Sequence, residues 1–308
     1  MARRREIRNR LFAYLVLIIW VGMLTFGSSR QALAQLGAIG GIGGISGGET
    51  NEASPLFTMT GSPSFNEGEG NLSFAYQNTR ITRFEGDKIE DEFGPDFAAE
   101  LVSKVFLVGY GVTDRFSVAA VFSQDTNRFH IGLDSDLFPD KKETGGLANP
   151  SFSAKYTLIR NPNISVRGTL GLPSGYEAGS ENPVVALDFA YSVSLWGMTD
   201  LHVQAGYQYT FKDRFDVDPT DLLVVNTALA RSFGENFTFF TELTYRQGGG
   251  SFDSENDTPT QKSVDVIPGF KVEFQEKFLF STAARIALIN DFTLGYDYSY
   301  LILLGYLF

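Results

Sequence analysis

The sequence predicts an all-β protein: a closed antiparallel transmembrane β-barrel of about 12 strands, with short periplasmic turns and long extracellular loops. Three observations predict it. Apolar and polar residues alternate over segments of roughly ten residues, which is the strand period of two. The connections alternate between tight and long. The chain ends on "DFTLGYDYSYLILLGYLF", which sets Phe292, Leu294, Tyr296, Tyr298, Tyr300, Ile302, Leu304, Tyr306 and Phe308 on one face. Thr293, Gly295, Asp297, Ser299 and Gly305, small or polar, lie on the other. Such a strand meets lipid on one side and a lumen on the other, and a bilayer forbids an open sheet edge, so the sheet must close.

The barrel is expected to occupy residues 70–308, behind two other segments. Residues 1–34 read as a secretory signal peptide. A basic head carries Arg3, Arg4, Arg5, Arg8 and Arg10, an apolar run covers Leu11 to Gly27, and Ala32-Leu33-Ala34 supplies the small-residue exit. Residues 35–69 follow as a Gly-rich segment. Its composition cannot build a packed core and reads as flexible, either a disordered leader or a plug lying in a pore. Removing residues 1–34 leaves 19 basic and 35 acidic residues, a net charge of -16. A chain so acidic is not expected to bind nucleic acid, which needs Lys and Arg to neutralise phosphates. It holds no cysteine, which excludes disulfides, thiolate metal sites and a Cys nucleophile.

Twelve segments alternate: roughly 71–81, 97–110, 115–124, 150–160, 163–172, 183–195, 200–212, 221–233, 236–247, 263–275, 277–288 and 292–308. The first three are the least regular, and Lys104 alone decides the facing of the second. In the seventh, Leu201, Val203, Ala205, Tyr207, Tyr209 and Phe211 share the apolar face, with His202, Gln204, Gly206, Gln208 and Thr210 opposite. The long connections are 82–96, 125–149, 173–182, 213–220 and 248–262, and "IND" before the last segment is short. An even strand count puts both termini on the short-turn side. A soluble sandwich also alternates, but these strands are longer than the globular norm, and many of the aromatics, which include 28 Phe, lie near strand ends where an interfacial girdle sits.

The charges on the polar faces are the candidate pore lining: Arg167, Glu242, Lys271, Glu273 and Arg285. Facing lipid, each would cost roughly 2–4 kcal/mol near the midplane. Twelve strands imply a narrow lumen, between the filled interior of eight and the open channel of 16–18, fit for one small solute at a time. Acidic residues crowd the long loops: Glu85, Asp87, Glu90, Asp91, Glu92; Asp134, Asp136, Asp140; Asp213, Asp216, Asp218; Asp253, Glu255, Asp257. They read as solvated faces, or as contacts to divalent ions bridging lipopolysaccharide, but "DSENDTP" lacks the spacing and glycine of an EF-hand. No protein metal site and no cofactor is expected. His130 and His202 are the only histidines, no GxSxG elbow stands in a strand–turn–helix context, and no catalytic residue is expected. A structural or adhesive barrel working through its acidic loops is the alternative reading; a barrel lipid hydrolase is a weaker one.

Two resemblances add to this. A terminal Phe308 with Tyr306 two residues before it resembles the last strand of bacterial outer-membrane proteins, which the barrel-assembly machinery reads. "YGVTDRFSVAAVF", "NPSFSAKYTLIRNPNISVRGTLGLPSGYEAG" and "ARSFGENFTFFTELTYR" resemble the outer-membrane transporters of the MetA-pathway of phenol degradation. The likeness is carried by the G-x-T-D-R-x-S turn at Gly111–Ser117, by Tyr156 in a K-Y-x-L strand, and by Leu172-Pro173-Ser174-Gly175. It implies an outer-membrane channel for passive uptake of small aromatic or otherwise hydrophobic molecules. It brings no site motif, so no binding residue is carried over.

Overall fold

A computed structural model describes residues 65–308 except 85–86, 89–97, 131–140, 148–149, 174–182, 197, 212–220, 249–260, 276 and 291–293. The signal-peptide reading and most of the Gly-rich segment therefore lie outside the described residues. The strands are β1 (Gly70–Phe84), β2 (Asp87–Lys88), β3 (Ala98–Thr113), β4 (Phe116–His130), β5 (Lys141–Leu147), β6 (Ser151–Arg160), β7 (Asn163–Gly171), β8 (Val184–Trp196), β9 (Thr199–Thr210), β10 (Leu222–Phe233), β11 (Phe237–Gly248), β12 (Gln261–Phe274), β13 (Phe278–Asn290) and β14 (Leu294–Leu307). No described residue is helical.

β1, β3, β4 and β6 to β14, twelve strands, pair antiparallel in sequence order, and β14 pairs back onto β1. The sheet is a closed transmembrane barrel, and all twelve alternating segments are strands of it. Closure runs from Asn71↔Leu307 to Phe84↔Leu294. At its lower end the Gly70 amide donates to the Phe308 carbonyl at 2.8 Å and the Phe308 amide to the Gly70 carbonyl at 2.9 Å. The two ends of the barrel thus meet on the short-turn side, as an even count requires.

The outer face is apolar where the bilayer sits. Leu72, Phe74, Phe106, Leu170, Leu187, Phe189, Leu229, Ile302 and Leu304 all point out and are exposed. Near the short turns stand Tyr110, Trp196, Phe233, Phe237, Phe274, Phe278 and Phe308; toward the far ends stand Tyr209, Phe211, Tyr298 and Tyr300. These are the aromatic girdles of an outer-membrane barrel. Arg231 sits in the lower girdle with its guanidinium over the Phe233 ring, 5.5 Å from the centroid, a position from which a long cation reaches the lipid headgroups.

The pairing corrects three sequence expectations. Lys104 does not mark an interior face. It is exposed on the outside between Tyr76 and Gln124, while Ser103, Val105 and Leu107 are buried. Its height in the upper part of the wall lets the ammonium snorkel outward. Second, Tyr296 does not belong to the lipid-facing set of β14. Register shifts lie between Thr79 and Ile81 against β14, and between Val264 and Asp265 against β13. Irregularities of this kind re-aim a side chain. Here Tyr296 is turned inward to 3% exposure, whereas Tyr298 and Tyr300 remain outside. Third, residues 125–149 are not all loop: β4 runs to His130, and β5 pairs with its upper half while β6 pairs with its lower half. "TNRFH" and "KKETGGL" look like loop because they are charged, but a strand that rises above the bilayer has no reason to be apolar.

Candidate functional site: the barrel interior

The inner wall has two unlike arcs. From β10 round to β4, Ala75, Val105, Ala230, Phe240, Ile267, Leu279, Ala283, Leu301 and Leu303 form one buried apolar cluster, with Val121 and Leu307 against it. Phe240, Ile267 and Leu303 expose nothing. From β6 to β9 the inward positions are mostly polar, among them Thr157, Asn163, Ser165, Arg167, Asp188, Ser192, His202, Gln204, Gln208 and Thr210, with Ala190 between. A lumen lined mostly by small or polar residues was the expectation, so the extent of the apolar arc is a finding. Its signal was present where both faces of a strand are apolar, as in "FTFFTEL" and "LILL".

On the polar arc Asp188 is held by three bonds. The Arg167 Nε and Nη2 donate to its Oδ2 at 2.9 and 2.8 Å, and Gln204 Nε2 donates to Oδ1 at 3.0 Å. Gly206 is a glycine because a Cβ there would collide with that Oδ1. Charge-assisted pairs of this kind in a low dielectric stand only when the geometry is satisfied. Below it His202 Nδ1 lies 2.8 Å from Ser192 Oγ, with both residues at 1–4% exposure. The structure thus brings a serine to His202 that spacing did not suggest. His130 lies at the end of β4, and its side chain lies outside the described part.

Above the apolar arc a second network joins three strands. Arg246 on β11 donates through Nη2 to Asp265 on β12 at 2.7 Å and to the Tyr296 hydroxyl at 2.6 Å. Tyr296, reaching across β13, donates to the Asp265 carboxylate at 3.0 Å. The Asp265 side chain has no exposure. Arg285 is 5% exposed and lies close to Tyr296, and among the described residues its Nε has no hydrogen-bond partner.

All five sequence-predicted charges lie on the inward face of the barrel wall. Lys271 Nζ and Glu273 Oε1 are 2.7 Å apart near the β12–β13 turn. Glu242 and Arg285 occupy one lateral row on either side of Ile267: Glu242 pairs with Ile267 across β11–β12, and the β12–β13 register sets Arg285 opposite Ile267. Arg167 stands apart on the polar arc, with Asp188 as its partner. Their exposures differ: Glu242 has none, Lys271 and Arg285 have 5%, and the Arg167 and Glu273 side chains keep 14% and 36%. Sequence reasoning missed Asp188, the partner of Arg167, and the Asp265–Tyr296 pair that holds Arg246. No group of three metal-binding side chains exists among the described residues, and the acidic loop clusters lie outside the described side chains.

Solved structures with this fold include an outer-membrane channel from Pseudomonas putida F1, at 15% identity and TM-score 0.62 over 80% of this chain and 96% of that one. The translocator domain of the autotransporter NalP from Neisseria meningitidis matches at 10% identity and TM-score 0.53, over 78% and 88%. The β domain of the Bordetella autotransporter BrkA matches at 11% and 0.52, over 79% and 100%. These likenesses concern the fold. No curated protein matches the chain. A family model described as "Putative MetA-pathway of phenol degradation" matches residues 60–291.

Proposed function

Since the chain belongs to the MetA-pathway of phenol degradation family and folds as an outer-membrane barrel, we propose that it is a passive outer-membrane channel for small aromatic or otherwise hydrophobic molecules. The observation that carries this reading is the two-faced interior. An apolar arc from β10 to β4, packed at 0–6% exposure, fills one side of the interior and gives dispersion contacts to a ring or short hydrocarbon where it parts to admit one, while the polar arc from β6 to β9 sets hydrogen-bonding groups opposite. A solute with one apolar body and one polar group finds both at once. The Pseudomonas putida F1 protein of the same fold, an outer-membrane channel, supports the reading.

The five charges act as the lining in this reading. Arg167 and Glu273 border the path directly, and Glu242, Lys271 and Arg285 act from within the wall, where low dielectric strengthens their field. Replacing Glu273 with Ala leaves Lys271 without its carboxylate and is expected to lower the cation-to-anion permeability ratio by roughly twofold. Reversal potentials in a salt gradient measure it. The reading as a whole is tested by planar-bilayer conductance of the purified barrel, together with vesicle uptake of a small aromatic alcohol against glucose. Conductance with faster aromatic uptake supports it. A barrel that neither conducts nor admits either solute sinks it and leaves the structural or adhesive reading.

Phe308 and Tyr306 serve as the assembly signal in the same reading. Deleting Phe308 removes one exposed ring and its two closing hydrogen bonds with Gly70, a few kcal/mol at most. The yield of the deletion in isolated outer membranes is expected to fall well below wild type, while refolded material melts nearly as before. Normal yield counts against a signal in these residues.

A further inference from the structure

Where the apolar arc reaches β1, β3 and β4, three buried oxygens face the interior with no donor to meet them. Gln77 on β1 pairs across the strands with Ser103 on β3, and Ser103 pairs with Asp125 on β4. The three inward side chains thus stand in one lateral row, at 5%, 1% and 5% exposure. Among the described residues, Gln77 Oε1, Ser103 Oγ and Asp125 Oδ1 have no hydrogen-bond partner. The Ser103 hydroxyl lies beside the carboxylate without a hydrogen bond of normal geometry to it.

The Gln77 amide is oriented from outside the row. Ser299 Oγ donates to the Asn78 carbonyl at 3.0 Å, and Thr79 Oγ1 donates to Ser299 Oγ at 2.8 Å. A hydroxyl has one proton, so Thr79 can only accept from Gln77. The amide nitrogen is therefore the atom that meets Thr79 at 3.0 Å, and the carbonyl oxygen is the atom left over. The surroundings carry no counter-charge. Ala75 and Val105, one inward step below Gln77 and Ser103, belong to the buried apolar cluster. Leu301 flanks Gln77, and Gly146 flanks Asp125. Among the described residues no cation is ion-paired with Asp125, and Arg285 stands four strands away on β13. A carboxylate taken out of water needs a partner of opposite charge or a proton.

We propose that Gln77, Ser103 and Asp125 bind one sodium ion on the inner wall. Hard cations take oxygen ligands, and all three groups offer oxygen. One carboxylate with two neutral oxygens balances a single positive charge. A divalent ion would leave an excess charge buried, where low dielectric makes it costly. A proton on Asp125 is the competing occupant. It would engage one pair of these oxygens, whereas a cation engages all three. The site spans the strands beside the closing seam, so its occupant ties β1, β3 and β4 together. It does not depend on the channel reading.

The melting temperature of the refolded barrel reads occupancy, because a ligand held only by the folded state stabilises it. In sodium chloride it is expected to lie about 2–4 °C above its value in N-methyl-D-glucamine chloride of equal ionic strength, whose cation is too large for a buried site. Asp125→Asn and Gln77→Leu are each expected to abolish the difference. Equal melting of the wild type in the two salts overturns the site and leaves a proton on Asp125. A difference that survives Asp125→Asn overturns it as well. Should the variants fail to fold, the sodium NMR line of the wild-type barrel decides alone. Excess broadening that saturates as sodium is raised supports the site, and a line that is not broadened, or broadening that never saturates, overturns it.

Discussion

Replacing Asp265 with Ala is expected to destabilise the barrel by about 3–5 kcal/mol, the cost of leaving a buried guanidinium without its carboxylate. Arg246 and Tyr296 both bond to Asp265, and Arg285 lies beside them, so two guanidiniums would lie near one another without the Asp265 carboxylate between them. Like charges in a low dielectric add to the desolvation cost. Tyr296→Phe, which removes one hydroxyl from the same network, should cost only about 1–3 kcal/mol. Urea unfolding of the barrel in lipid vesicles, followed by Trp fluorescence, separates the two. A change below about 1 kcal/mol for Asp265→Ala would mean that the three strands are not joined as described.

Lysine at position 302 is the second large effect. Ile302 is 41% exposed on the outer face, about six residues from the closing end of β14 and so near the middle of the bilayer. Ile302→Lys is expected to lower stability by roughly 2–4 kcal/mol and to reduce the folded fraction recovered from membranes. Lys104→Leu is the informative partner. This lysine is also outward, but it stands high on the wall beside Gln124. Its replacement should change stability by no more than about 0.5 kcal/mol, the scale of an ordinary surface substitution. Equal effects at the two positions would place the bilayer elsewhere on the barrel.

Most of the barrel was legible because a strand with lipid on one side must alternate, and alternation is local. Segments such as 200–212 and 236–247 announce themselves residue by residue. What was not legible depends on pairing. Nothing in "DFTLGYDY" says that an irregularity against β1 will move Tyr296 from the lipid to the interior, because the irregularity exists only in register with Thr79 and Ile81. Lys104 misleads for the opposite reason: depth in the membrane, not charge alone, decides whether a lysine may face out. The interior was half legible. Polar inward residues such as Gln204 and Arg167 contrast with their neighbours, whereas Phe240 and Leu303 follow or precede apolar residues and carry no contrast. The five charges stand out by that contrast, but Asp188, the partner of Arg167, belongs to another strand and appears only once the strands pair.

The closure of β1 on β14 also bears on how the molecule is made. The Thr79 hydroxyl donates to Ser299 Oγ at 2.8 Å across a separation of 220 residues. Loop length adds little to the equilibrium cost of such a contact, since the entropy grows only with the logarithm of the chain between. It weighs on the rate, because non-local pairing is slow. Until the last strand is synthesised and delivered, the N–H and C=O groups along the open edge of β1 have no partner, and they form a template on which a second molecule can pair. A chain of this topology spends its whole transit as an unfinished sheet. Its survival until the final strand arrives is a kinetic matter, governed by how long that edge is kept from its neighbours and not by the stability of the finished barrel.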